Sequence, residues 1–368
     1  MQLVHMNDIA VGMVVAQDVP APKGSIPLVR KGAVVDREVL RRMRLHDVHF
    51  AFISSAQPPA RRSEAPDAPS RIHMPTIKPV ISDALRAEGV SSLEDLFEQA
   101  SIGLSDVHGS TTSVIKNITN VVDRLVESLD GQSVVSVLNL KSHDDYTYHH
   151  SMSVAALTIA IGQQMGFNKE TLQRLGKCAM LHDIGKISIP TELINKPSRL
   201  LPEEFATMKG HSTAGHGYLT QTFGDEDLLQ GVVQHHERVD GSGYPYGAKK
   251  ENIHPWSKII SVADVYDALT SNRSYRTASS PGDAIEFLMG GVGKDFDFDV
   301  VECFLQKVEI YPIGSKVQLS TGQLAVVYNS ENKLRPVVRV LSTGDILDLY
   351  RDKNCRSVII TNILDLNS

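Results

Sequence analysis

Apolar positions along the chain keep one spacing and then another, and the changes of spacing divide it. Residues 1–53 carry short β-branched runs at Ile9–Val15, Ile26–Val29 and Ala33–Val35, with Gly12, Gly24 and Gly32 near or between them. A helical pattern follows at Arg37–Leu45 and an apolar run at His49–Ile53, so this part predicts a small α+β module. Residues 54–80 hold six of the chain's 17 prolines among Ser, Ala, Arg and Glu, with few large apolar residues, which is the composition of a linker.

From about Ser82 the spacing becomes helical. Val114, Ile115, Ile118, Val121, Val122, Leu125, Val126 and Leu129 recur at three and four residues, and Asp130-Gly131 is a stop signal. The same spacing predicts helices over Val154–Met165, Thr171–Ile184, Pro202–Tyr218, Asp227–Glu237, Pro255–Leu269 and Pro281–Phe287. Past Tyr311 the period drops to two. Lys316–Leu319, Leu324–Tyr328, Pro336–Leu341 and Ile346–Tyr350 read as strands separated by turn residues. The expected organisation is therefore a 1–53 module, a 54–80 linker, an 81–130 helical connector, a 131–310 helical domain and a 311–368 antiparallel β subdomain. The fold class is mainly α.

Composition removes several classes of protein. With 42% hydrophobic and 22% charged residues in 368, the chain is too apolar for disorder throughout. No stretch approaches the ~20 apolar residues of a spanning helix, and no Lys or Arg precedes Lys23 to form a secretory lead. Cys178, Cys303 and Cys355 are scattered and odd in number, against a disulfide framework and in favour of the cytoplasm. A net charge of −6 disfavours a nucleic-acid footprint.

Candidate chemistry gathers in one segment, since nine of the 14 histidines lie between His143 and His254. The strongest local signal is Leu181-His182-Asp183-Ile184-Gly185-Lys186. Adjacent His and Asp on a helix stand ~100° apart and can face one inter-helical site. His150, His211, the pair His235-His236 and Asp264 recur along the same helical run, and from His150 through His182, His211 and the pair to Asp264 the separations are 32, 29, 24 and 28 residues. In a bundle such spacings can return all seven residues to a common place. Their nitrogen and oxygen donors suit iron, manganese, nickel, cobalt or zinc better than magnesium or calcium. Two six-coordinate ions offer twelve positions. Seven residues with Asp183 bridging would fill eight, leaving room for a bridging hydroxide and two substrate oxygens.

Two further features adjoin this set. His235-His236-Glu237-Arg238-Val239-Asp240 runs into Gly241-Ser242-Gly243-Tyr244-Pro245, where Gly241 and Gly243 allow positive φ and Pro245 fixes the exit. Lys186, three residues past Asp183, can neutralise a phosphate oxygen, and Arg273 and Arg276 share a face suited to bidentate phosphate contact.

HDIGK, HHERVDGSGYP and VADVYDALTSNRSYR, in this order and spacing, resemble the HD-GYP family, HD-superfamily phosphohydrolases that degrade cyclic di-GMP. The resemblance spans roughly residues 130–310. It implies an all-helical HD-type metal-binding bundle with a di- or trinuclear centre, iron or manganese ahead of nickel, cobalt or zinc. Metal ligands fall on His150, His182, Asp183, His211, His235, His236 and Asp264. Asp183 and Lys186 take catalytic roles, Lys186, Arg273 and Arg276 contact substrate phosphate, and Gly243, Tyr244 and Pro245 form the signature loop, where GGDEF-domain or other signalling proteins would meet it. Three-metal members carry a carboxylate one helical turn before the first ligand histidine. That position is Tyr146, with Asp144 and Asp145 out of phase, so two metals are expected. Residues 1–75 more loosely resemble an N-terminal module joined to such domains.

The resemblance implies hydrolysis of cyclic di-GMP to pGpG, with continuation to GMP left open. The alternatives are a catalytically idle cyclic-dinucleotide receptor and a hydrolase acting on another cyclic dinucleotide. The stripe on Val114–Leu129 suits either a homodimer seam or packing against the chain's own domain. His143, His149, His216 and His254 have no assigned role, Trp256 reads as core, and Met152, Met165 and Met180 read as helix-packing residues.

Overall fold

The computed structural model describes parts of 2–54 together with residues 81–102, 110–131, 135–136, 146–271 and 278–364. The chain forms two compact units, Met1–Ile72 and His73–Ser368. The first holds a three-stranded antiparallel sheet in the order β1-β3-β2, with β1 at Gln2–His5, β2 at Val14–Val15 and β3 at Phe50–Ser54. Val15, Val35 and Met43 are fully buried beneath it. Of the helix expected over Arg37–Leu45, the described Val39, Leu40 and Met43 are helical. The linker, apart from Ser54, lies outside the described residues.

The second unit is built on ten helices among its described residues: α1 Asp83–Ile102, α2 Ser110–Leu129, α3 Tyr146–Gln164, α4 Lys169–Leu181, α5 Thr191–Ile194, α6 Pro202–Thr220, α7 Glu226–Gln234, α8 Pro255–Thr270, α9 Pro281–Gly290 and α10 Phe298–Lys307. In α3, every residue from 150 to 162 is buried, so this helix is enclosed on all sides and forms the bundle's axis. It packs on α4, α8, α10, α1 and α2. Burying one such aliphatic side chain contributes about 1.5–3 kcal/mol. Close approach is set by missing side chains. A Cβ at Gly176 of α4 would lie 2.8 Å from a Val122 methyl on α2.

That contact answers the question of the α2 stripe. Val114, Ile118, Val121, Val122, Leu125, Val126 and Leu129 are buried among α1, α3 and α4 of the same unit, so the stripe is core and not a homodimer seam. Trp256, 5% exposed under the Arg174 guanidinium at 5.2 Å, is core as expected.

The expected β tail is present, with one strand more. Strands β6 Lys316–Leu319, β7 Leu324–Asn329, β8 Val337–Val340, β9 Ile346–Asp348 and β10 Ile360–Leu364 form an antiparallel sheet in the order β10-β6-β7-β8-β9. Val317, Leu319, Ala325, Val338 and Val340 join the helices' core, so the sheet is continuous with the bundle. Lys333 Nζ donates to the carbonyls of Leu305, Gln306 and Val308 and so caps α10 from the sheet side. Two short strands, β4 Val135–Ser136 and β5 Val308–Glu309, pair in parallel.

Candidate metal centre

Three helices and two helix ends build the site. His150 lies on α3, His182 caps α4 and Asp183 follows it, His211 lies on α6, His235 caps α7 with His236 next, and Asp264 lies on α8. The expected helices Thr171–Ile184 and Asp227–Glu237 both stop earlier, at Leu181 and Gln234. The first stop has a visible cause. Asp183 takes φ −98°, ψ 7°, and Ile184–Ser188 wind as a 3₁₀ turn. A Cβ on Gly185 would sit 1.9 Å from the His211 carbonyl oxygen, so only glycine lets this turn lie directly on α6. Asp183 thereby reaches His211.

Among the described residues the candidates form three groups with ligand atoms within 4.8 Å of one another: His150/His182/Asp264, His211/His235/His236, and His182/Asp183/His235, which joins the first two. Asp183 faces both of those two. One carboxylate oxygen is 3.4 Å from His211 Nε2, and the other is 3.4 Å from His182 Nε2 and 3.9 Å from His150 Nε2. His150 Nε2 lies 3.2 Å from Asp264, and His236 Nδ1 4.0 Å from the other Asp264 oxygen.

The imidazole tautomers follow from their acceptors. His182, His211 and His235 each place Nδ1 2.5–2.7 Å from a backbone carbonyl, of Ala179, Met208 and Val232. A carbonyl only accepts, so Nδ1 carries the proton and Nε2 presents a lone pair. His182 Nε2 is buried and makes no hydrogen bond. His211 and His235 turn their Nε2 atoms toward each other at 3.3 Å. Two nitrogens about 2.1 Å from a common ion, at angles between octahedral and tetrahedral, stand about 3.0–3.4 Å apart. The donor set therefore fits divalent transition metals.

Electrostatics agree. Burial, reinforced by neighbouring His182 and His211, pushes His235 down to about 3. Burial likewise lowers His211 and His236, so these ligand candidates are neutral. Burial alone would raise Asp183 and Asp264. The Lys186 ammonium and His182 hold Asp183 well below the carboxylate range, and His150 does so for Asp264. His150 is the exception among the imidazoles. Burial lowers it, but hydrogen bonds to Asp264 and Asp267 outweigh that and set it at about 9.

Two expectations need amendment. Gly243 does not use positive φ, as Gly241 does at 84°. Its requirement is space, because a Cβ there would lie 2.4 Å from the Arg238 nitrogen. Lys186 does not stand free in the cavity either. Its Nζ donates to Asp183 Oδ2 at 2.5 Å. Tyr244, ahead of a cis bond to Pro245, lays its ring 4.7 Å from that of His236 and so packs on a ligand candidate. Arg273, Arg276, Asp144, Asp145 and His143 lie outside the described residues, and α3 begins at Tyr146. His254 caps α8 and pairs with Asp227, away from the centre.

Sequence reasoning missed two residues. Asp267 Oδ2 binds His150 Nδ1 at 2.7 Å, leaving Nε2 to face Asp264. Its signal was the three-residue spacing from Asp264. Glu237, 2% exposed, accepts from the backbone N–H groups of Tyr246 and Ala248 and ties the Gly243–Pro245 loop to the end of α7. A single Glu beside two histidines carried no signal of that.

Residues 136–300 match the HD domain family. The chain is 36% identical over 227 residues to a protein of Pseudomonas aeruginosa named cyclic di-GMP phosphodiesterase PA4108, covering 60% of this chain and 55% of that one. It is 36% identical over 155 residues to a Vibrio cholerae protein named 3'3'-cGAMP-specific phosphodiesterase 1, covering 42% of this chain and 36% of that one. The chain thus spans about half of the first relative and about a third of the second. Among solved structures, Bd1817, a HDG"Y"P protein from Bdellovibrio bacteriovorus, superposes with a TM-score of 0.50 at 17% identity, over 82% of this chain and 97% of that one, which establishes a shared fold.

Proposed function

With residues 136–300 an HD domain of the HD-GYP kind, we propose that the chain is a metal-dependent phosphodiesterase that opens cyclic di-GMP to pGpG, with GMP the product of any second cleavage. The observation that carries this reading is the Asp183 carboxylate turned toward two histidine-rich triples at once. His150, His182 and Asp264 would hold one ion, His211, His235 and His236 the other, and Asp183 both. Two divalent transition metals, iron or manganese ahead of nickel, cobalt or zinc, would supply Lewis-acid polarisation of the phosphate and activation of water.

The chain's own residues do the rest. Nδ1–H bonds to carbonyls fix three imidazoles with Nε2 inward, and Asp267 fixes His150 in the same way. Lys186, with a side chain 24% exposed, is free to turn from Asp183 to a phosphate oxygen once Asp183 is otherwise neutralised, stabilising charge that grows in the transition state. Arg273 and Arg276 would contact the phosphates. Residues 1–53, beyond the linker, would regulate or localise the enzyme. GGDEF-domain or other signalling proteins would meet the loop on its open side, where Tyr246 is 63% exposed. No helix among the described residues is long and apolar enough to cross a membrane, and the three free cysteines suit the cytoplasm.

The Vibrio cholerae relative supports a second reading, in which the substrate is 3'3'-cGAMP. Chromatography of products from the manganese- or iron-loaded full chain, offered cyclic di-GMP, 3'3'-cGAMP and cyclic di-AMP in turn, separates the two. Fastest loss of cyclic di-GMP with pGpG appearing is expected. Preference for 3'3'-cGAMP would move the assignment to the second reading, and binding without cleavage would make the chain a receptor.

A further inference from the structure

Beside the metal-ligand candidates lies an aromatic step that the hydrolytic chemistry does not use. Phe205, on the first turn of α6, is 46% exposed, and Leu201, four residues earlier, is 52% exposed. The Phe205 ring stands edge-on to Tyr244 with centroids 6.2 Å apart, and Tyr244 in turn lies on His236. Lys209, one helical turn after Phe205, holds its ammonium 5.2 Å from the Phe205 ring and 5.8 Å from that of Tyr244. An aromatic ring open to water thus stands beside an oriented cation, two rings away from a metal-ligand candidate.

We propose that Phe205 and Lys209 form a nucleobase subsite, an inference that rests on the phosphodiesterase reading. A purine of the cyclic dinucleotide stacks on Phe205 while its phosphodiester lies in the metal centre. Lys209 donates to the base's acceptor edge, where the O6 of guanine accepts and the N6 amino group of adenine does not. Rings suit this role because stacking on an aromatic side chain is strong and needs no matched hydrogen bonds, whereas the lysine adds the base preference. The two functions are separable by residue.

The test compares KM, kcat and metal content for Phe205→Ala, Phe205→Leu, Phe205→Trp and Lys209→Met in the metal-loaded full chain. Phe205→Ala is expected to raise KM for cyclic di-GMP by on the order of tenfold with kcat and metal content little changed. Phe205→Leu, which keeps apolar bulk without a π face, should resemble the alanine variant, and Phe205→Trp should restore the wild-type KM. Lys209→Met should narrow the preference for cyclic di-GMP over cyclic di-AMP. An unchanged KM in Phe205→Ala, or wild-type behaviour of Phe205→Leu, would overturn the stacking role. Loss of metal would show instead that Phe205 acts only by packing Tyr244 onto His236. Should the wild-type chain fail to cleave, the phosphodiesterase reading falls, and equilibrium binding of cyclic di-GMP by the same variants still decides the subsite.

Discussion

The Nε2 atoms of His211 and His235 face each other across 3.3 Å, and neither carries a proton to share. Both imidazoles are held neutral, and their lone pairs converge. Such a pair is unfavourable unless a cation lies between its members. The fold therefore holds an arrangement that a metal ion would relieve, which would couple folding to metal occupancy.

Removing metal should accordingly destabilise the chain. An ion present at about 100 times its Kd adds about 2.7 kcal/mol, which for a unit the size of His73–Ser368 corresponds to a Tm about 4 °C higher. Thermal unfolding before and after chelation, with manganese added back, measures it. Equal Tm values with and without bound metal would break the link between the converging lone pairs and a metal.

Asp267 should matter without touching metal or substrate. It holds His150 by Nδ1 at 2.7 Å, and loss of such a partner typically weakens metal affinity 10–100-fold. Competition against a chelator of known affinity should show that weakening in Asp267→Ala, with recovery of activity at high metal. Wild-type affinity in this variant would leave Asp267 a packing residue only.

How far the centre could be read from the sequence depends on what each residue needed. Helical periodicity and regular spacing brought all seven ligand candidates together, because an apolar helix such as α3 has few ways to pack and carries His150 with it. The bend at Asp183 was invisible, since it depends on Gly185 meeting the His211 carbonyl, a contact between segments far apart in sequence. Asp267 and Glu237 act through partners that only the fold supplies. Strand β10 and helix α10 were also missed, although the expected α7 and α9 are no longer than α10, and the expected β6, β8 and β9 are shorter than β10.

Lys186 should separate from the ligands in its kinetics. Its bond to Asp183 competes with metal for the same carboxylate oxygen, so Lys186→Ala should keep its metal. Activity is another matter: kcat/KM should fall on the order of 10²-fold, as for loss of one charge-stabilising donor. Elemental analysis beside steady-state kinetics checks both. Metal loss in this variant would make Lys186 structural and shift the phosphate role to Arg273 and Arg276.

The raised pKa of His150 sets a pH dependence for loading. Below about 9 the metal-free protein keeps a proton on this imidazole, and ligation through Nε2 must expel it. Metal affinity should therefore increase as pH rises toward about 9, with a proton released per chain near neutrality. Calorimetric titration in buffers of different ionisation enthalpy detects that proton. Heats independent of buffer would mean that His150 is already neutral, contrary to its bonds with Asp264 and Asp267.

The two-ion centre bridged by Asp183 is tested most directly by titrating metal-free chain with manganese or ferrous iron under anaerobic conditions while following cleavage of cyclic di-GMP. Activity should climb to a plateau at two equivalents per chain, and Asp183→Ala should give no comparable activity at any equivalent. A plateau at one equivalent, a requirement for three, or an active Asp183→Ala variant would contradict the two-ion centre.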